Sequence, residues 1–280
     1  MMTATQFDSE MTLTGNKIRF GKLNDRVYIT DATIELPNTF HKEVEDFAKQ
    51  GGYSKIIAKV KDAQVLPFLK RGYQIEATVP GYFGLQDAIF ISRFFDEERA
   101  SCEHMDLSDG IINEVQNVDT WDPSSFSQPV LFRKCNQVDV RALSKLYQLA
   151  FSSYGSPIGD EHYISQSIEN GVDYFCVEYM DAIVACVRIE YEKDAPNARL
   201  YDTVVLRQFR NEGIASALIF EARRYLKNNG VEFIYSICRA SSFAINKVFA
   251  RLAFEYGGRL INNNLVNNKL VSMNVWSQKL

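Results

Sequence analysis

The densest chemical signal in the chain lies in residues 204–220, Val-Val-Leu-Arg-Gln-Phe-Arg-Asn-Glu-Gly-Ile-Ala-Ser-Ala-Leu-Ile-Phe. An apolar run passes into Arg210-Asn211-Glu212-Gly213-Ile214-Ala215, and helical spacing starts there, with Ile214, Leu218, Ala222 and Tyr225 on one stripe. The first amides of a helix have no internal partner, and the helix dipole puts partial positive charge at that end. A phosphate group is well held at such a place. Gly213 and the small Ala215 let a pyrophosphate approach the backbone closely, and Arg210 adds a fixed positive charge. The same residues also read as a plain helix start with a packing glycine.

Strands and helices must carry this turn. ARLYDTVVL (198–206) reads as the strand leading in, 211–229 as the helix leading out, and VEFIYSIC (231–238) as the next strand. A further helix carries Ile245, Val248, Phe249, Leu252 and Ala253, and KLVSMNVWSQ (269–278) reads as a last strand. Upstream, VLFRKC (130–135) is a strand, Val140, Leu143, Tyr147, Ala150 and Phe151 mark a helix, and YFCVEY (174–179) with AIVACVRIEY (182–191) form a hairpin around Met180-Asp181. Earlier still, KIRFGKL (17–23) and RVYIT (26–30) flank Asn24-Asp25 as a hairpin. A helix through Phe40, Val44, Phe47 and Ala48 stops at Gly51-Gly52, KIIAKV (55–60) is a buried strand, a short helix runs from Asp62 to Gly72, and DAIFISRFF (87–95) is a strand. Residues 96–129 are acidic and then rich in Ser and Pro, which predicts a boundary. The expected organisation is two α/β units, 1–120 and 121–280, of the α/β (α+β) class with helices covering a mixed central sheet.

Composition excludes several function classes. The 280 residues carry a net charge of −4 with no Lys/Arg block, so no nucleic-acid partner is expected. Five cysteines, an odd number with no C-x-x-C, argue against a disulfide framework and a zinc site, and three scattered histidines argue against a His-based metal centre. There is no apolar run long enough to span a membrane, and the first residues lack a basic and apolar leader. The expectation is a soluble, cytoplasmic, reduced protein without a membrane partner.

With this strand–turn–helix context, Arg210-x-x-Gly213-x-Ala215 resembles the R-x-x-G-x-A acyl-CoA motif of the GCN5-related N-acetyltransferases (GNAT). The resemblance covers residues 130–280 and implies the GNAT fold, with acetyl-CoA as co-substrate. A narrower resemblance is carried by Tyr235-Ser-Ile-Cys-Arg-Ala-Ser-Ser-Phe-Ala-Ile-Asn246, Tyr256-Gly-Gly-Arg-Leu-Ile-Asn-Asn263 and Ser272-Met-Asn-Val-Trp276, by Tyr154-Gly-Ser-Pro-Ile158, and in the first half by Lys55–Val60, Arg71-Gly-Tyr73, Glu76-Ala77, Pro80–Phe83 and Asp87-Ala88. These segments look like the β-lysine N6-acetyltransferases, which acetylate the terminal amine of β-lysine to give an osmolyte. Arg199 and Val271 stand where that family has acidic residues, Arg207-Gln208 replace a small or Pro-containing lead, and Asn268 replaces a turn glycine. These departures leave acetyl-CoA use in place and leave the amine open: β-lysine first, then another polyamine, amino acid or peptide amine, or a non-catalytic acyl-CoA-binding module.

The resemblance also implies roles. Val204, Val205, Leu206, Arg210, Asn211, Glu212, Gly213, Ile214 and Ala215 would bind the cofactor, joined by Asn246 and Phe249 on the later helix. Phe249 stands where many relatives carry a tyrosine acid, a role phenylalanine cannot fill. Asp202 is the first candidate for the base or an ammonium-binding carboxylate, and Tyr201 is its neighbour. Alternation along a strand predicts that the two point to opposite sheet faces, so that one of them at most lines the site. Tyr154 and Asp160, in the loop after the first helix, would face a cationic amine. Tyr163 lies in the same loop. For Asn246, Phe249, Asp202 and the loop residues, plain packing or solvation is the competing reading. The first unit ends like the second, each running strand, helix, loop, strand, with an aromatic loop (Tyr82-Phe83-Gly84) in the first and an Asn-rich loop in the second, but it lacks an R-x-x-G-x-A loop. It is expected to be a truncated GNAT-like unit with no acetyl-CoA of its own. The acceptor is a small-molecule amine, and a homodimer is left open.

Overall fold

The computed structural model describes residues 8–30, 36–101, 105–151, 156–192 and 195–280. In chain order the elements are β1 (Ser9–Leu13), β2 (Asn16–Gly21), β3 (Arg26–Ile29), α1 (Asn38–Gln50), β4 (Lys55–Lys61), α2 (Val65–Leu69), β5 (Gln74–Val79), β6 (Ala88–Phe94), α3 (Glu97–Ala100), α4 (Met105–Val115), β7 (Leu131–Lys134), α5 (Val140–Ala150), α6 (Glu161–Glu169), β8 (Asp173–Tyr179), β9 (Ala182–Tyr191), β10 (Asn197–Val205), α7 (Ile214–Asn228), β11 (Phe233–Arg239), α8 (Phe243–Arg251), β12 (Glu255–Val266) and β13 (Lys269–Lys279). Mixed strands flanked by helices match the expected class.

The chain forms two compact units. The first comprises Met1–Asp109, Arg239–Ser241 and Gly257–Val275; the second comprises Gly110–Cys238, Ser242–Tyr256 and Trp276–Leu280. This differs from a single boundary near residue 120. The change of unit falls inside α4, and most of the β12–β13 hairpin groups with the first unit. Strand pairing, invisible in local sequence, makes that assignment.

In the first unit the strands lie in the order β1-β2-β3-β4-β6-β5-β12. The β3–β4 pair is parallel, and the β4–β6 and β5–β6 pairs are antiparallel. Alternation on β4 sends Ile56, Ala58 and Val60 into the core with Val27 and Ile29, beneath Phe40, Val44 and Ala48 of α1. Spacing of four along α1 puts those three on one stripe, which is why the helix lies on this face. The opposite face of β4 carries Lys55, Ile57, Lys59 and Lys61, of which Lys55 and Ile57 are buried and the other two half-buried.

The second unit runs β11-β10-β9-β8-β7, with β10 and β11 parallel and the other pairs antiparallel. Phe175, Val177, Ala185, Val187, Ala198 and Leu200 pack against α7, while Tyr174, Cys176, Cys186 and Val204 pack with α5 and α6 on the other face. A sheet covered on both faces reads as near-continuous apolar strands, as YFCVEY and AIVACV do.

Four elements differ from the expected pattern. The Asn-rich stretch read as a loop is the 12-residue strand β12. Its glycines and asparagines hide any alternation, and its hydrogen bonds come from distant strands. The loop expected to hold Asp160 and Tyr163 contains helix α6, whose N-cap is Asp160. β1 and β5 are short strands without an apolar run of their own.

Candidate active site

β10 leads into the candidate phosphate turn and ends at Val205. A short 3-10 turn at Arg207–Phe209 follows, then Asn211 with φ +66° and Gly213 with φ +79°. Left-handed residues alternating with others are the backbone pattern from which anion nests are built. Gly213 is the N-cap of α7, and no side chain caps it. The opening amides of this 15-residue helix are therefore left for an external acceptor. A Cβ at position 213 would meet only Phe126 Cδ2 at 3.5 Å, an ordinary contact. The positive φ, not lack of space, is what calls for glycine here.

Each cofactor candidate takes a definite place around this turn. Arg210 is exposed, and its Nε donates to the Val205 carbonyl at 3.1 Å, which holds the guanidinium against the strand end. Glu212 is exposed; a carboxylate there repels a phosphate, so its share is backbone. Ile214 is buried in the core under α7, and Ala215 is half-buried. The side chains of Val204 and Val205 are buried on opposite faces, and the Leu206 amide donates to Val184 O at 2.9 Å. These three residues can offer a ligand only main-chain atoms. The β10–β11 ladder pairs Asn197–Leu200 with Phe233–Ser236, while β10 runs on to Val205.

Asn246 and Phe249 belong to the core. The Asn246 Oδ1 accepts from Trp276 Nε1 at 2.8 Å, and its Nδ2 donates to Ser242 O at 2.8 Å. Phe249 is fully buried, with its ring 5.0 Å from Phe254. The packing reading of both residues is thus the one the geometry favours.

The centre of charge lies where β10 departs from regular geometry. Tyr201 pairs with Arg188 of β9 and Val204 with Cys186, so Asp202 and Thr203 together face the single residue Val187. This is a β-bulge. Asp202 has φ +49°, in the left-handed region that a non-glycine residue occupies only at a cost. Its carboxylate is 1% exposed and sits 2.9 Å from Arg188 Nε. Arg188, 6% exposed, also reaches Glu190 at 2.7 Å and donates to the Tyr163 hydroxyl at 3.1 Å. Burial works against its charge, but the carboxylates of Asp202 and Glu190 more than reverse this and hold the guanidinium well above its ordinary value.

Tyr201 packs beneath two guanidiniums, with Arg188 Cζ 4.5 Å and Arg199 Cζ 3.7 Å from its ring centre. Arg199 Nη1 also donates to the Tyr201 hydroxyl at 2.6 Å. Burial pushes the phenol well above the ordinary tyrosine value, against the pull of Arg199, so it stays protonated. The expected separation of Tyr201 and Asp202 onto opposite faces does not hold: both meet Arg188, because the bulge breaks the alternation.

Of the acceptor candidates, Tyr154 lies outside the described residues. The Asp160 carboxylate is exposed and accepts from the Tyr163 amide at 2.8 Å, capping α6. The Tyr163 hydroxyl, on the first turn of the same helix, accepts from Arg188. Sequence reasoning missed Arg188 and Glu190. The available signal was a single arginine interrupting the apolar run of β9, which marks a buried charge in need of partners.

Residues 141–254 match the model of the acetyltransferase (GNAT) family. The chain is 28% identical over 259 residues, 92% of this chain and 94% of the other, to the β-lysine N(6)-acetyltransferase of Methanococcus maripaludis. It is 26% identical over 230 residues, 75% of this chain and 85% of the other, to the β-lysine N(6)-acetyltransferase of Methanosarcina mazei. The crystal structure of the ribosomal-protein-S18-alanine N-acetyltransferase of Escherichia coli aligns with a TM-score of 0.48 at 16% identity, covering 54% of this chain and 93% of that one. The chain therefore carries an acetyltransferase domain of the GNAT family and is an acetyl-CoA-dependent N-acetyltransferase.

Proposed function

We propose that this enzyme transfers the acetyl group to the terminal N6 amine of β-lysine. The observation that carries the reading is the likeness to β-lysine N(6)-acetyltransferases along 92% of the chain, beyond the acetyltransferase domain alone. Acetyl-CoA, when bound, supplies the thioester. The chain's residues bind and orient: the amides at Gly213, Ile214 and Ala215 take the pyrophosphate, Arg210 adds charge beside it, and the β10 edge from Tyr201 to Val205 holds the acyl end. The acceptor amine must shed a proton before attack, because a free ε-ammonium has a pKa of about 10.4. Glu190, about one-third exposed on the Arg188 face, is better placed to pass that proton to water than the enclosed Asp202.

A second reading, another small amine as acceptor, is favoured by one feature. Arg199 sets a cation against Tyr201 where an acidic residue was expected, which disfavours a second ammonium nearby. In the first unit, β4, α2, β5 and β6 run strand, helix, strand, strand with spatial order β4-β6-β5. The segment β11, α8, β12, β13 repeats this chain order of strand, helix, strand, strand, which supports a truncated GNAT-like first unit.

The test is thiol release from acetyl-CoA with a panel of β-lysine, lysine, polyamines and peptide amines. The expected result is turnover of β-lysine at the highest kcat/KM. Preference for another class would overturn the β-lysine assignment.

A further inference from the structure

We infer that Arg188 is a positioning residue that sets the shape of the β10 bulge through Asp202, and that Asp202 is an anchor of that bulge, not the proton acceptor. The inference rests on acetyl transfer at this bulge and not on which amine accepts.

The argument starts from strain. Asp202 adopts a left-handed backbone, which costs about 1–3 kcal/mol unless its surroundings enforce it. Here the enforcement is electrostatic. A carboxylate 1% exposed cannot stay charged without a partner, and Arg188 supplies one at 2.9 Å. Arg188 grows from the residue directly opposite Tyr201, where the bulge begins. Its guanidinium is held from two further directions, by Glu190 two residues on along β9 and by Tyr163 of α6. One side chain thus ties β9, β10 and α6 to a single backbone conformation at Tyr201–Val204.

That conformation matters because of its place. The bulge immediately precedes Val205 and Leu206, which lead into the phosphate turn. A bulge re-aims main-chain groups that a regular ladder would consume. Donors at such a point stabilise charge in a transition state only when held rigidly, and a shift of about 1 Å can cost on the order of 100-fold in rate. Asp202 faces a guanidinium on its buried side, so an amine proton has no open path to it.

Three variants test this: Arg188→Lys, Arg188→Gln and Asp202→Asn. Lysine keeps the charge but loses the fork that meets Asp202 and Glu190 together. Asparagine tolerates the left-handed backbone. In Arg188→Lys the expected result is a kcat at least about tenfold lower with CoA affinity within about twofold, because the phosphate turn is untouched. Arg188→Gln should lose more kcat than Arg188→Lys. Asp202→Asn should keep the acidic limb of the pH–rate profile. Amide exchange, which needs no turnover, should quicken in 199–206 of Arg188→Lys and stay unchanged in α7. Unchanged kcat and exchange in a folded Arg188→Lys protein would overturn the inference, and so would loss of the acidic limb in Asp202→Asn. If no amine is acetylated by the wild type, the proposed function fails, and amide exchange alone still decides the role of Arg188.

Discussion

Arg188 Nε and Asp202 Oδ2 lie 2.9 Å apart across the β9–β10 pair, almost completely shielded from water. Their meeting depends on a one-residue irregularity in β10, since without it Asp202 would face away from Arg188. A buried pair of this kind adds little net stability but is costly to break from one side. Its value lies in holding one conformation of the strand that leads to the phosphate turn.

Replacing Gly213 with valine should weaken CoA binding by tenfold or more. A β-branched residue at φ +79° costs at least about 1–2 kcal/mol or moves the turn amides off the phosphate. Isothermal titration with CoA checks this; wild-type affinity in the folded variant would remove the phosphate-turn assignment.

Asn246→Ala should destabilise the second unit by roughly 2–3 kcal/mol, because it leaves the buried Trp276 Nε1–H without its acceptor. CoA affinity of the folded protein should stay near wild type. Denaturant melts paired with CoA titration decide between packing and ligand roles. A loss of affinity without loss of stability would return Asn246 to the cofactor site.

Lys55 is fully buried in the first unit, donating to Glu76 Oε2 and to Ile261 O, each at 2.8 Å. Burial pulls its ammonium from 10.5 down to about 8, against the opposing pull of Glu76. Between those two values the unfolded chain binds the proton more tightly, so stability should rise with pH across that window and level off above it. Glu76→Gln should cost about 3–5 kcal/mol at neutral pH, since it strands a buried ammonium. Melting curves from pH 7 to 11 on both proteins test the pair, and a flat wild-type profile above pH 8 would contradict it.

His41 is buried on α1 against Phe68, ring centres 4.5 Å apart, and neither imidazole nitrogen has a hydrogen-bond partner among the described residues. Burial, aided by Arg71 and opposed by Glu45, lowers its pKa below the ordinary 6.5. The folded state then binds the proton more weakly than the unfolded chain, so the stability it contributes is present above about pH 6.5 and is lost on acidification below it. His41→Phe should flatten the melting temperature between pH 6.5 and 5. An unaltered acid slope in that variant would assign acid sensitivity to other groups.

Much of this architecture is legible locally. Phe40, Val44 and Ala48 announce α1 by spacing alone, and the short apolar run within 55–60 announces β4. The phosphate turn is also a local object: an apolar strand, a glycine able to take positive φ and a helical stripe follow one another within twenty residues. β12 is not legible in this way, because Tyr-Gly-Gly and Asn-Asn-Asn have neither period, and only pairing with other strands extends them.

By itself the sequence determined the class of fold and the acetyltransferase relationship, and it picked out the strand–turn–helix proposed to take a phosphate, since each rests on residues adjacent in the chain. Only the tertiary structure decided what the isolated polar residues do. Asn246 turns inward because Trp276, thirty residues on, brings a buried donor to it. Asp202 is an anchor because Arg188 of the neighbouring strand meets it across a bulge. The late hairpin groups mostly with the first unit through long-range strand pairing. A lone polar residue in an apolar strand must find a partner when buried, and the identity of that partner is a property of the packed fold.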